Sequence, residues 1–167
     1  MGTLSNRRKR EENFNEMLDK AASKGTEIGV GEVEVARNTV ASFLKGIFYQ
    51  DYGAPDVEHM EEAFFESTQD GIEQDIESGI TREFYSLEML DFNLEDADNF
   101  YSPKQAAYKC TFPYDCKYWP RGKRGTSFRT KGCRAARFFF SREDDLWVLY
   151  GWKDLGECDA PPAENLL

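Results

Sequence analysis

The sequence has a single histidine in 167 residues, no Cys-x-x-Cys pair and no run of 18 apolar residues. Each absence removes a class of function. One imidazole is too few for the usual zinc ligand sets, and Cys110, Cys116, Cys133 and Cys158 lack paired spacing. No metal and no cofactor are therefore expected. A membrane-spanning helix needs roughly 20 mostly apolar residues, so no membrane span is expected either. The bases at Arg7–Arg10 lead into charged residues rather than an apolar segment, so no signal peptide is read. Asn6 breaks the myristoylation pattern that Gly2 would start. The chain reads as soluble, with the cytoplasm favoured and an extracytoplasmic place reserved for a fragment of an anchored protein. Also missing are a G-x-S-x-G elbow, a Walker loop and an H-E-x-x-H pair. No catalytic residue is assigned.

Charge of one sign is missing over long stretches. Residues 51–99 hold sixteen Asp or Glu and one base, Arg82, while residues 116–137 hold eight Lys or Arg and no acid. The net charge of -10 opposes approach to nucleic acid at long range, so nucleic acid is not the expected partner. Blocks of opposite sign attract between molecules, and a protein partner or a homodimer is expected instead. The candidate partner-binding residues are Lys117, Arg121, Lys123 and Arg124, with Trp119 and Phe128 supplying the apolar centre that a contact needs. Part of the basic block could equally be one half of an internal charge pairing.

What is present is a change of period. Phe14, Met17, Leu18 and Ala21 predict a helix over 6–23, and the glycines of 24–32 make a linker. Ala36, Val40, Phe43, Leu44, Ile47 and Phe48 predict a stronger helix over 32–50. Two short helices are expected next, one carrying Val57, Met60 and Phe64 with Asp56 as its cap, the other Ile72, Ile76 and Ile80. After Gly79 the pattern turns strand-like. One strand is expected over 81–93, then long strands over 105–119, 126–141 and 146–156, with Arg142–Asp145 as a turn. Tyr108, Cys110, Phe112, Tyr114, Cys116 and Tyr118 share one face. Strands of about 15 residues would run near 50 Å if straight, so the sheet must curl, with Pro113 and Gly132 as bend or bulge sites and Pro113 arguing for an edge. Helices followed by antiparallel strands make the class α+β: N-terminal helices, then a curved antiparallel sheet forming a half-open cone. The expected division is 1–31 (helix and linker), 32–157 (cone domain) and 158–167 (flexible tail). Free thiols are expected, the alternative being a Cys116–Cys133 bridge across the hairpin.

This order of elements resembles the nuclear-transport-factor-two-like fold, also called the cystatin-like cone. The match runs over about 32–156, on Ala36–Phe48, "APDVEHMEEAFF", "DGIEQDIESGI", "AAYKCTFPYDCKYW", "RAARFFFS" and "DLWVLYGWKDLG". The resemblance implies a choice among isomerases, dehydratases, transport adaptors and an assembly factor of type IV secretion and conjugation machines; fold alone does not choose. Enzymes of that fold use an Asp, His or Tyr in the mouth of the cone. Here His59 lies about 200° round its helix from Val57 and is read as a solvated histidine. Asp115 beside Arg134 offers an acid–base pair or, more plainly, a cross-strand ion pair on the outer face. Tyr108, Phe112, Tyr114 and Tyr118 would line a pocket. The reading is a non-enzymatic interaction or assembly domain with a charge-segregated surface, a component of a secretion or conjugation machine. The alternative is a small-molecule enzyme or ligand carrier that uses the aromatic cone.

Overall fold

A computed structural model describes residues 28–95, 103–120 and 125–158. The helix expected at 6–23, the bases Arg121, Lys123 and Arg124, and the tail beyond Cys158 lie outside the described residues. Helix α1 runs Val30–Tyr49. Val33, Ala36, Val40, Phe43 and Leu44 recur on one side of it and are buried, which is the stripe the sequence predicts. Ile28, just before it, is also in the core, so the packed body takes in residues that the sequence assigns to a linker. The helix stops at Gln50, which takes a left-handed conformation and donates its N–H to Gly46 O. The chain then folds back so tightly that a Cβ on Gly46 would come 2.7 Å from Pro55 Cγ. Only glycine admits that approach.

Asp56 caps a short 3-10 turn, Val57–His59, by accepting from the Glu58 N–H at 3.2 Å. Helix α2 follows as one piece, Glu62–Glu77. The expectation of two short helices is corrected here. Val57 is 57% exposed and belongs to no apolar stripe, while Phe64, Thr68 and Ile72 lie on one continuous helix. Nothing between Phe64 and Ile72 forces a break, because an interior glycine such as Gly71 is tolerated at a cost of about 1 kcal/mol. Gly79, with φ 72°, turns the chain out of the helix.

The sheet is antiparallel, curved and open, with five strands: β1 Thr81–Leu87, β2 Leu90–Leu94, β3 Gln105–Trp119, β4 Phe128–Glu143 and β5 Leu146–Glu157. The α+β class read from the sequence is what is found. The order is β1-β3-β4-β5, with β2 also paired to β3. The single strand expected over 81–93 is thus two strands laid end to end along β3. Pro113 explains the break. Its carbonyl accepts from Glu88 N–H at 3.1 Å, in the gap between β1 and β2. A strand residue points its N–H and C=O to the same side, so the missing proline donor faces that gap and costs no ladder bond. Pro113 therefore sits in a central strand, not at an edge. Gly132 makes no bulge either: β3 and β4 keep register from Gln105↔Ser141 to Tyr118↔Phe128, and the irregularities fall on β1, β2 and β5. Gly132 instead makes room for the Tyr114 ring, whose hydroxyl lies 2.6 Å from where a Cβ would stand.

The inner face of the sheet packs on α1. Tyr108, Cys110, Phe112, Ala136, Phe138 and Phe140 join Val40, Phe43, Leu44 and Leu149 in one core. Each large side chain fully buried there contributes roughly 1.5–3 kcal/mol. Ring contacts order the packing: Phe48 lies 5.6 Å from Phe112, and Phe43 lies 6.0 Å from Phe138. By alternation, Lys109, Asp115, Lys117, Arg129, Lys131 and Arg137 point to the other, outer face.

Cysteine pairing differs from the expectation of free thiols. Cys133 is bonded to Cys158, with Cα atoms 5.1 Å apart, while Cys110 and Cys116 are free and buried. Register gives the reason. Cys133 stands opposite Pro113 on the outer face, and Cys116 stands opposite Thr130 on the inner one. A Cys116–Cys133 bridge would have to pass through the sheet. Cys158 reaches Cys133 from the end of β5 and donates its N–H to Cys133 O at 2.8 Å.

Candidate functional site

The outer face near the β3–β4 hairpin collects charge and rings. Arg129 donates to both Asp115 oxygens, at 3.2 and 2.9 Å, and its guanidinium stacks 4.7 Å over the Tyr85 ring. That bidentate bond and the charges of Arg129 and Lys131 hold the Asp115 carboxyl below its ordinary range, and the bond to Asp115 and its negative charge push Arg129 up. Lys117 Nζ sits 5.2 Å over the Trp119 ring, so two of the sequence-predicted partner-binding residues are brought together. Phe128, the other predicted apolar contact residue, is 54% exposed but stands opposite Tyr118 on the inner face, not with Trp119 on the outer one.

Part of the basic block is consumed inside the molecule. Arg137 bonds Glu95 at 2.9 Å, and Arg134 bonds Asp154 at 3.0 and 2.8 Å. The sequence pairing of Asp115 with Arg134 is corrected by register: Asp115 faces out opposite Lys131, and Arg134 faces in opposite Phe112.

The aromatic pocket is corrected as well. Tyr108 and Phe112 are fully buried core residues, Tyr108 stacked 4.9 Å from Phe92. Burial and the nearby Glu32 push the Tyr108 hydroxyl well above its usual range. Tyr114 covers Gly132, and Tyr118 carries Arg82 over its ring at 5.9 Å. The sequence places these four on one face correctly, but α1 fills the part of that face where a pocket was expected. A cavity of about 300 Å³ exists elsewhere, between α1, α2 and β5. Phe43, Ile47, Phe64, Ile72 and Trp152 form its apolar surfaces, and Ser67, Gly71, Gln74 and Asp75 its polar side. Sequence reading missed it. The available signals were Gly71, a helix-interior glycine with no turn to make, and Trp152, an aromatic left half-exposed at the sheet edge.

His59 is not freely solvated as expected: it is half-buried, with Nδ1 2.8 Å from Asp56 Oδ2. Asp56, Glu58 and His59 bring ligand atoms within 4.8 Å of one another. Asp56 already caps the turn and bonds His59, which accounts for the grouping. Burial pushes the Cys110 thiol up to about 12 and the Cys116 thiol upward, so both are held as thiols rather than nucleophilic thiolates.

Beside these sites, α2 presents the acidic surface. Glu62, Glu66, Asp70, Glu73 and Glu77 are all exposed, and the helix carries no Lys or Arg. Like charges at i,i+4 destabilise a helix by roughly 0.2–0.5 kcal/mol per pair, so this ladder is retained against local cost. Among the described residues no helix is long and apolar enough to cross a membrane.

No protein-family model matches the chain, and no curated protein matches it. Among solved structures it is similar to the crystal structure of the intermembrane space region of chloroplast protein ARC6. The TM-score is 0.48 at 12% identity, over 75% of this chain and 94% of that one. A likeness at that level carries no functional argument.

Proposed function

We propose that the protein is a non-enzymatic interaction or assembly domain that meets partner proteins through surfaces of opposite charge. The observation that carries this reading is the separation itself. An all-acidic helix face lies on one layer, and Lys117 and Lys131 with Trp119 and Tyr85 lie at the hairpin end of the sheet, beside the Arg129–Asp115 pair. Exposed aromatics beside charge are what contact centres use, and electrostatic complementarity gives such contacts speed and register. The state of the thiols is in keeping with a non-catalytic role: burial keeps both Cys110 and Cys116 protonated, so neither is a ready nucleophile. The order of two helices and a curved sheet is in keeping with a nuclear-transport-factor-two-like domain, and an assembly role in a secretion or conjugation machine fits an interaction module of that kind. The Cys133–Cys158 bond favours an oxidising compartment over the cytoplasm.

A second reading has its own observation. The cavity between α1, α2 and β5 favours a ligand carrier. The interaction reading is tested by light scattering and pull-down at low salt with Arg121, Lys123 and Arg124 changed to Glu. The interaction reading expects self-association or partner capture to fall. Unchanged association defeats it, and loss of single-stranded nucleic-acid binding in the same variant would establish a nucleic-acid role instead.

A further inference from the structure

Two parallel lines run along α2. Ser67, Gly71 and Gln74 follow at i, i+4, i+7 and edge the cavity. One step round the helix, Glu66, Asp70, Glu73 and Glu77 follow at i, i+4, i+7, i+11 and are all exposed. Gly71 has no conformational reason to be glycine. It lies inside the helix, where only proline is a poorer helix former, and a Cβ there would meet nothing within 4 Å. What the glycine does is leave the mouth open. Behind it lie the rings of Phe43, Phe64 and Trp152. Asp75 adds a carboxylate to the lining and shares it with Arg82 at 3.5 Å. The volume of about 300 Å³ is at the bottom of the range for small-molecule pockets, roughly 300–1,000 Å³. It suits one anchoring side chain, the kind of buried aromatic that dominates an interface.

We propose that this groove takes a single large apolar side chain, aromatic for preference, from a partner segment flanked by Lys or Arg. The anchor enters past Gly71, and the flanking bases lie along the Glu66–Asp70–Glu73–Glu77 line. The occupant follows from complementarity: a floor of Phe43, Phe64, Ile72 and Trp152, and a line of four exposed carboxylates about 100° round the same helix on its solvent side, on a helix without a base, in a chain of net charge -10. The inference rests on the interaction-domain reading and names the partner chemistry of its acidic side.

The test is fluorescence anisotropy with a labelled synthetic peptide carrying one Trp between Lys-Arg pairs. Control peptides replace the Trp by Ala or the bases by Glu. The protein variants are Gly71→Leu, which plugs the mouth while favouring the helix, and a quadruple Glu66→Gln, Asp70→Asn, Glu73→Gln, Glu77→Gln. The expected result is capture of the Trp-basic peptide, weakened roughly tenfold or more, about 1.4 kcal/mol, by either set of changes and by either peptide control. Binding kept in Gly71→Leu but lost in the quadruple variant overturns the groove and leaves the acidic face as an interaction surface. Binding unaffected by both overturns the groove and the charge reading together. A doubling of mass in light scattering that Gly71→Leu reverses, without peptide capture, overturns the peptide and makes a second copy the occupant.

Discussion

Phe43→Ala probes the packing of α1 on the sheet. Phe43 is 1% exposed, with its ring 5.3 Å from Phe64, 6.0 Å from Phe138 and 5.5 Å from Trp152. Truncating a phenylalanine in a closed core costs about 3–5 kcal/mol, part of it for the void left behind at ~24 cal/mol per Å³. Here the void would open into the groove that Phe43 already lines. Water can then enter, and the void term shrinks. The expected loss is therefore in the lower part of the range, about 3–4 kcal/mol. For a domain of this size that corresponds to a fall in Tm of roughly 6–16 °C. Urea unfolding followed by tryptophan fluorescence reads it, with Trp152 beside the deleted ring as reporter. The slope of free energy against urea should stay unchanged if only stability has moved. Lys45→Ala, at an exposed position of the same helix, should move stability by no more than about 0.5 kcal/mol. A loss below about 1 kcal/mol for Phe43→Ala would put the residue at the surface and refute the packing of α1 on the inner face.

Cys158→Ser should destabilise the oxidised protein by about 3.5 kcal/mol, from the loop of 25 residues it closes with Cys133; thiol titration of the unfolded, oxidised wild type should find two free groups, and four would contradict the pairing. Asp115→Asn should cost stability at neutral pH and nothing in strong acid. The carboxyl is held below its ordinary value of 3.8 by Arg129, so its stabilisation is complete above that value and is lost as pH falls through the lower folded value. Urea midpoints of the two proteins should differ at pH 7 and converge as acid protonates Asp115; a constant gap would show that the Arg129 pair is not its source. Gly71→Ala should raise stability by about 0.8–1 kcal/mol, since its Cβ meets nothing, and a loss in thermal denaturation would show that the site is more crowded than described.

The period of the sequence carries the secondary structure where one face is buried by one neighbour. The stripe Ala36, Val40, Phe43, Leu44 identifies α1, and the alternation Tyr108, Cys110, Phe112 identifies the inner face of β3. It does not show how much of a face its neighbour covers, and so Tyr108 and Phe112 are core where a pocket was expected. Nor does it show register. The Cys133–Cys158 bond and the Asp115–Arg129 pair both depend on which residues of β3, β4 and β5 stand opposite one another. The split of β1 from β2 is hidden for a related reason: aromatic and aliphatic residues recur throughout 81–93 with no Gly or Pro to mark a break, and the break answers Pro113 on a different strand. The groove is assembled from α1, α2 and β5, three separate stretches of chain, and in any one of them its residues look like ordinary core. The charge blocks, by contrast, are plain in the sequence, because exposed carboxylates on α2 need no partner in the chain to be recognised.

The central claim is that the acidic helix layer is a binding surface. The most direct measurement is amide chemical-shift mapping of the protein titrated at low salt with the Trp-basic peptide. Shifts should appear at Ser67–Asp75 of α2, around Phe43 and Ile47 of α1 and around Trp152, and should shrink as added salt shortens the Debye length from about 30 Å at 0.01 M toward about 8 Å at physiological strength. Shifts confined to the outer face around Lys109, Lys117 and Lys131, or no shifts at all, would contradict it.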